Sequence, residues 1–235
     1  MFKAILFDLD GTLLDINMDV FIRQYFSKMV AMAEEAGYSV AERLVEKVWR
    51  ATEVMISNRD PQLRNEEVFR EHFYRDWPIP REEFDPFFEH FYEKGFPELK
   101  KHTRPFPGIP EMMQQIFDRG FKVVVATNAV FPLTALQQRL DWAGVGDFNY
   151  ELITSYEVMH FCKPHLEYYQ EIVDKLGVRP EECLMVGNDI GEDLPAGLLG
   201  MKTFLVEDLL IDKGQNLTPD WRGYLPDLYN FINNL

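Results

Sequence analysis

The chain has little cysteine, little histidine and no excess of positive charge. Its 235 residues include two cysteines and five histidines. Cys162 and Cys183 cannot make a disulfide framework. Both fall in or beside expected buried strands and motifs, so reduced, inert thiols are expected. Lys and Arg together number 24 against 39 Asp and Glu, a formal charge of −15. That balance argues against a nucleic-acid surface, which needs a basic stripe. No apolar run reaches the roughly 18 residues needed to span a bilayer. No basic region precedes an apolar stretch at the N-terminus, so no signal peptide is expected and the cytoplasm is the expected compartment. Internal repeats and low-complexity tracts are also missing.

What is present is an ordinary globular composition, 46% hydrophobic, in a chain long enough for one or two domains with a sizeable core. Short apolar runs predict strands at Phe2–Phe7, Phe121–Thr127, Leu152–Ser155, Cys183–Gly187 and Thr203–Val206. Helical segments separate most of them. One opens at Ile109-Pro110 and runs to Gly120, another runs from Pro132 to near Gly144, a third from His165 to Leu176, and a fourth from Asp193 to Leu199. This alternation predicts an α/β fold, a Rossmann-like parallel sheet covered on both faces.

The stretch from about Ile16 to Lys101 breaks the pattern, reading as helices with no good strand. Asp19–Ala36 is one, and Ser39-Val40-Ala41-Glu42 is a capping-box signature for the next. Asn65 caps a third through Trp77, and Asp85-Pro86 starts a fourth that ends at Gly95. An insert this long is not a loop. The division expected is a core of residues 1–15 and 102–235 and an all-helical cap of residues 16–101. Hinges are expected near Leu14–Asn17 and His102–Phe106. The aromatics of the insert (Phe69, Phe73, Tyr74, Trp77, Phe84, Phe87, Phe88, Phe91 and Tyr92) have helical spacing, which favours core packing over a substrate-stacking surface. Trp221 to Leu235 reads as a short amphipathic helix.

Asp8-Leu9-Asp10-Gly11-Thr12 ends the first strand. Positions i and i+2 on a strand point the same way, so two carboxylates stand side by side. They repel, and each needs a cation or a shared proton. Such a pair suits chemistry in which one carboxylate attacks while the other gives and takes a proton, although Asp-Gly also occurs in plain turns. Asp189 and Asp193 lie four apart at another strand-to-helix junction. With Asp8, Asp10 and Lys163 they leave a formal charge of about −3, which calls for a divalent cation. Oxygen donors without a His or Cys cluster suit magnesium rather than zinc. His160 and His165 flank Lys163 without an evident role.

Residues 7 to 15, Phe-Asp-Leu-Asp-Gly-Thr-Leu-Leu-Asp, resemble the first signature of the haloacid dehalogenase-like hydrolase superfamily. Val123-Val124-Val125-Ala126-Thr127-Asn128 resembles the second signature, and Cys162-Lys163-Pro164 the third. Met185 to Asp193, with Gly187-Asn188-Asp189, resembles the fourth. The four stand in the family's order. The resemblance implies a helical cap over the core and a phosphohydrolase of a small phosphorylated metabolite. In that reading Asp8 is the nucleophile that forms an aspartyl-phosphate, and Asp10 is the acid and base. Thr127, Asn128 and Lys163 hold the phosphate. Mg2+ is held by Asp8, the Asp10 carbonyl and Asp189, with Asp193 in support. One departure stands out, because the family usually has Asp directly after the glycine and here Asn188 precedes Asp189. A phosphomutase, a dehalogenase of the same fold and a catalytically idle binding protein are the alternatives. No nucleic-acid or membrane partner is expected, and the chain is expected to be a monomer or weak homodimer.

Overall fold

The computed structural model describes residues 1–39 and 41–235, and of Ala41 and Glu42 the backbone alone. In chain order the elements are β1 (Ala4–Phe7), β2 (Leu14–Ile16), α1 (Met18–Glu35), α2 (Ala41–Ser57), α3 (Asn65–Tyr74) and α4 (Arg81–His90). Two further helical turns, Phe91–Gly95 and Phe96–His102, precede β3 (Thr103–Pro105) and α5 (Ile109–Asp118). Then come β4 (Lys122–Val125), α6 (Leu133–Trp142), β5 (Leu152–Ile153), α7 (Leu166–Leu176), β6 (Cys183–Gly187), β7 (Lys202–Val206), β8 (Trp221–Gly223) and α8 (Leu225–Asn233).

Six parallel strands form one sheet in the order β5-β4-β1-β6-β7-β8. β1 is central and every one of its residues is buried, as a strand covered on both faces requires. Alternate residues enter two cores. Ile5, Phe7, Val123, Val125, Leu184 and Val186 pack on one face with Met112, Met113 and Ile116 of α5. Ala4, Leu6, Val124, Cys183 and Met185 pack on the other with Tyr168, Tyr169 and Ile172 of α7. Each fully buried aliphatic or phenyl side chain contributes roughly 1.5–3 kcal/mol. Both cysteines are buried and unpaired, and burial pushes each thiol up.

After β1 the chain leaves the sheet, returns as β4 on one side of it, and later arrives as β6 on the other. The carboxyl ends of β4, β1 and β6 therefore border a topological switch point, where ligands bind in open parallel sheets. The excursion leaves and returns through a small antiparallel ribbon, β2 against β3, pairing Asp15 with Arg104. Between those strands everything regular among the described residues is helical. Phe96 stacks on Trp142 of α6, and Phe21 of α1 meets both rings edge-on, tying these helices to the core.

Several local expectations need correction. Asn65 does not cap α3. Arg64 is the capping residue, and the buried Asn65 amide instead donates to the carbonyls of Ala129 and Phe161. α3 stops at Tyr74 rather than Trp77. α4 starts at Arg81, not Asp85, with Pro86 inside it, so that proline removes one interior hydrogen bond rather than opening the helix. The segment after Asp193 is a 3-10 helix, Leu194–Leu199, with Pro195 in its first turn. Trp221–Gly223 is not helical but the edge strand of the sheet. The capping box expected at Ser39-Val40-Ala41-Glu42 rests on Val40 and the side chain of Glu42, which lie outside what is described.

Candidate active site

Register sets the site. Phe7 pairs with Val125 on one side and Val186 on the other, so Asp8, Thr127 and Asn188 emerge together at the strand ends. Gly11 has φ +90 and lies so close to Asn188 that a Cβ there would stand 2.3 Å from its Nδ2. Only glycine fits that turn. Gly187 is equally constrained, since a Cβ would meet Asp193 Oδ2 at 2.0 Å.

Lys163 lies between two carboxylates. Its Nζ donates to Asp8 Oδ1 at 2.9 Å and to Asp193 Oδ1 at 2.6 Å, with 1% of its side chain exposed. Burial pulls the ammonium down, but Asp193 and Asp8 outweigh it and hold Lys163 well above its ordinary range. Burial raises the Asp193 carboxyl and Lys163 opposes it. The other Asp193 oxygen accepts from the Asp189 backbone N–H at 2.9 Å. Asp193 thus anchors both Lys163 and the turn after β6.

Thr127 is buried, and its carbonyl accepts from Thr154 and Tyr168, both at 2.7 Å. Its hydroxyl makes no hydrogen bond among the described residues. Asn128 Oδ1 accepts from the Lys163 backbone N–H at 3.2 Å and Nδ2 donates to Glu192 at 3.1 Å. Asp189 Oδ1 accepts from the N–H groups of Gly191 and Glu192, and Oδ2 lies 3.6 Å from Lys213. The Thr12 hydroxyl, 3.1 Å from Asn188 Oδ1 and 3.5 Å from Asp8 Oδ2, links those two residues. Asp189 is close in sequence but faces its own turn. His160 pairs with Glu171, and His165 with the Ile56 carbonyl and Arg59.

Sequence reading missed Arg139. This fully buried side chain forms an ion pair with Asp10 Oδ2 and lies over the Phe131 ring, 4.4 Å from its centroid. Asp10 Oδ1 and Arg139 Nε and Nη2 are buried without partners among the described residues. Burial raises the Asp10 carboxyl, Arg139 opposes this, and the charge on Asp8 adds to the rise. A signal existed, since Arg139 falls on the apolar stripe of α6 with Ala135, Leu136 and Leu140. The charge count changes accordingly. Asp8, Asp10, Asp189, Glu192 and Asp193 now face Lys163, Arg139 and Lys213, five carboxylates against three cations, a formal −2 rather than −3.

Asp8, Asp10, Thr127, Asn128, Asn188 and Asp189 open onto a cavity of about 990 Å3 that continues under the inserted helices. The aromatics of the insert pack as expected. Phe73, Trp77, Phe84, Phe87 and Phe91 are buried. Phe69, Tyr74, Phe88 and Tyr92 are partly buried against that core and line the cavity as well.

The sequence pattern of the haloacid dehalogenase-like hydrolases matches residues 2–199. The chain belongs to this family. This haloacid dehalogenase-like hydrolase is 28% identical to the phosphoglycolate phosphatase of Aquifex aeolicus over 207 residues, covering 86% of this chain and 84% of that one. It is 33% identical over 111 residues to the glyceraldehyde 3-phosphate phosphatase of Methanothermobacter thermautotrophicus, a match covering 46% of this chain and 47% of the relative. Its fold resembles a HAD phosphatase from Thermococcus onnurineus, with a TM-score of 0.58 at 20% identity, covering 98% and 97% of the two chains. It also resembles the L-2-haloacid dehalogenase of Xanthobacter autotrophicus, at 0.57 and 18% over the whole of both chains.

Proposed function

We propose that this hydrolase is a Mg2+-dependent phosphomonoesterase acting on a small phosphorylated metabolite through an aspartyl-phosphate on Asp8. The observation that carries the reading is the Asp8–Lys163–Asp193 chain at the switch point, with Asp8 facing the cavity. The names of the relatives above, phosphatases of small phosphate esters, support it. In this reading residues 16–101 act as a cap domain over the core of residues 1–15 and 102–235.

Asp8 attacks phosphorus, the ester P–O bond breaks, and the alkoxide leaves with a proton from Asp10. Asp10 then takes a proton from water as that water attacks the acyl-phosphate, and the Asp8–P bond breaks to release inorganic phosphate. Burial and the neighbouring Asp8 favour the protonated form of Asp10 that the first step needs. Arg139 holds the carboxylate that remains. Lys163 keeps Asp8 ionised and neutralises the transferring group. The free Thr127 hydroxyl and Asn128 receive the phosphate oxygens.

The donor set suits magnesium. Among the described residues no three His, Cys, Asp or Glu side chains converge as a ligand set. Magnesium does not require that, since it binds through one or two carboxylates, with water and substrate phosphate completing its shell. Asp8, the Asp10 carbonyl and Asp189 would hold it, with Asn188 as the rival third donor because Thr12 ties it to Asp8. The bound ion would neutralise charge on the phosphoryl oxygens. Asp189→Ala is expected to raise the Mg2+ concentration for half-maximal activity by about ten- to a hundredfold, and Asn188→Ala by much less. The larger shift in Asn188→Ala would reverse the assignment.

Arg139→Met removes the guanidinium and keeps an unbranched apolar stem. Turnover of an alkyl phosphate should fall about a hundredfold through misplacement of Asp10. A 4-nitrophenyl ester, whose leaving group needs less protonation, should lose much less. Equal losses on both would mean that Arg139 serves folding alone. The function itself is tested by phosphate release from acetyl phosphate and 4-nitrophenyl phosphate with and without Mg2+. Turnover with the ion is expected, and a folded protein inert toward both would refute the reading.

A further inference from the structure

We infer that the alcohol part of the substrate is a bulky aromatic group carrying no negative charge. The inference rests on the phosphomonoesterase reading and concerns the cap half of the same cavity. That cavity, about 990 Å3, is at the upper end of the roughly 300–1,000 Å3 typical of sites for drug-sized ligands. A phosphoryl group on two or three carbons would leave most of it empty.

The wall is aromatic and braced. Tyr25, Phe26, Trp49, Phe69, Phe88 and Tyr92 line it. Behind them sits a second aromatic layer. Phe88 meets Phe73 and Phe84 edge-on at 5.2 and 5.3 Å, Phe69 stacks on Phe73 at 5.8 Å, and Tyr92 packs on Phe91 at 5.3 Å. Phe73, Phe84 and Phe91 are fully buried and form the hydrophobic centre of the insert. Phe69, Phe88 and Tyr92 pack against that centre and also line the cavity. Held in place by it, they offer rings to a ligand at little cost in ordering.

The charge of the cap half excludes an anion. Among the described residues the only cations lining the cavity are Arg70 and Lys213. Arg70 is already taken, donating to Glu66 at 2.8 Å and pairing with Asp85. Lys213 lies beside Asp189, at the phosphate end. Glu89, Glu93 and Glu157 add negative charge to the wall. A carboxylate or second phosphate on the substrate would lose water there and meet no counter-charge.

The test compares three primary alkyl phosphates with similar leaving groups, 2-(1-naphthyl)ethyl phosphate, propyl phosphate and 3-carboxypropyl phosphate, with acetyl phosphate as the reference for phosphoryl chemistry. The naphthyl ester should exceed propyl phosphate in kcat/KM by about thirtyfold, and the carboxylate ester should fall about tenfold below it. Trp49→Ala and Phe69→Ala should each cut the naphthyl-to-propyl ratio about fivefold. Trp49 is 51% exposed, so its loss spares the fold. Acetyl phosphate turned over with no preference for the naphthyl ester, or with a preference for the carboxylate, overturns the substrate class and leaves the phosphatase reading standing. If no phosphate is released from any compound the phosphatase reading falls, and calorimetric binding of the matching non-hydrolysable phosphonates decides the cavity on its own. Naphthyl binding about tenfold tighter supports the inference, and equal or tighter carboxylate binding overturns it.

Discussion

Asp8→Asn should abolish phosphate release while leaving the protein folded. The side chain keeps its shape, and its amide oxygen can still accept from Lys163 Nζ, which retains Asp193 as a second partner at 2.6 Å. What disappears is the oxyanion that bonds to phosphorus. Loss of an enzyme's nucleophile typically costs about three to six orders of magnitude in turnover. Initial rates on 4-nitrophenyl phosphate at saturating Mg2+, with circular dichroism on the same sample, check both halves. Retention of even about a tenth of the rate would show that Asp8 is not the attacking group, since the amide cannot form an acyl-phosphate.

Lys163→Ala should damage turnover and stability together. The Lys163 ammonium is the cation between Asp8 and Asp193 and is 1% exposed. Without it two buried carboxylates face each other uncompensated. Breaking a buried pair in this way costs about 3–5 kcal/mol, which for a chain of this size lowers the melting temperature by about 6–20 °C. Removing one preorganised cation from the transferring group costs about two to four orders of magnitude in kcat. Lys163→Met keeps most of the side-chain volume but not the charge, so it should recover neither the rate nor the stability lost to the unpaired carboxylates. Lys163→Arg should not rescue either, because a planar fork does not fit where a point charge bridges two oxygens. An alanine variant with near-normal rate and melting point would return Lys163 to the status of an ordinary charge.

How much of this was legible depends on the length of each signal. β1, β4 and β6 are continuous apolar runs because both faces of a parallel sheet are covered, and such runs show in sequence. β2 and β3 are three residues each, too short for any period to register. β8 is exposed at Trp221 and Arg222 and ends on a glycine, an edge strand without an apolar face. The 3-10 geometry of Leu194–Leu199 leaves no mark in the sequence, since Pro195 lies in the first turn, where its missing N–H is not needed and where α5 carries Pro110 as a regular helix. Asn65 reads as a cap because a single asparagine gives no hint of whether its amide turns to its own helix or to another loop. The aromatic insert has helical spacing on every face, so spacing alone could not separate the rings that fill its centre from those that wall the cavity. At the site, adjacency along the chain was readable in Asp8 with Asp10 and in Asn188 with Asp189. Arg139 was not, because its partner Asp10 is 129 positions away and only the fold joins them.

The most direct test of the central claim is capture of the covalent intermediate. An Asp10→Asn variant, lacking the base that activates water, should accumulate it. Mixing that variant with Mg2+ and 4-nitrophenyl phosphate, whose leaving group needs little protonation, quenching in acid and reading the peptides by mass spectrometry should place one phosphoryl group on the peptide spanning Asp8. Borohydride should convert that residue to homoserine. A phosphoryl group on any other residue, or phosphate release with no covalent species at Asp8 at any time, would contradict the account.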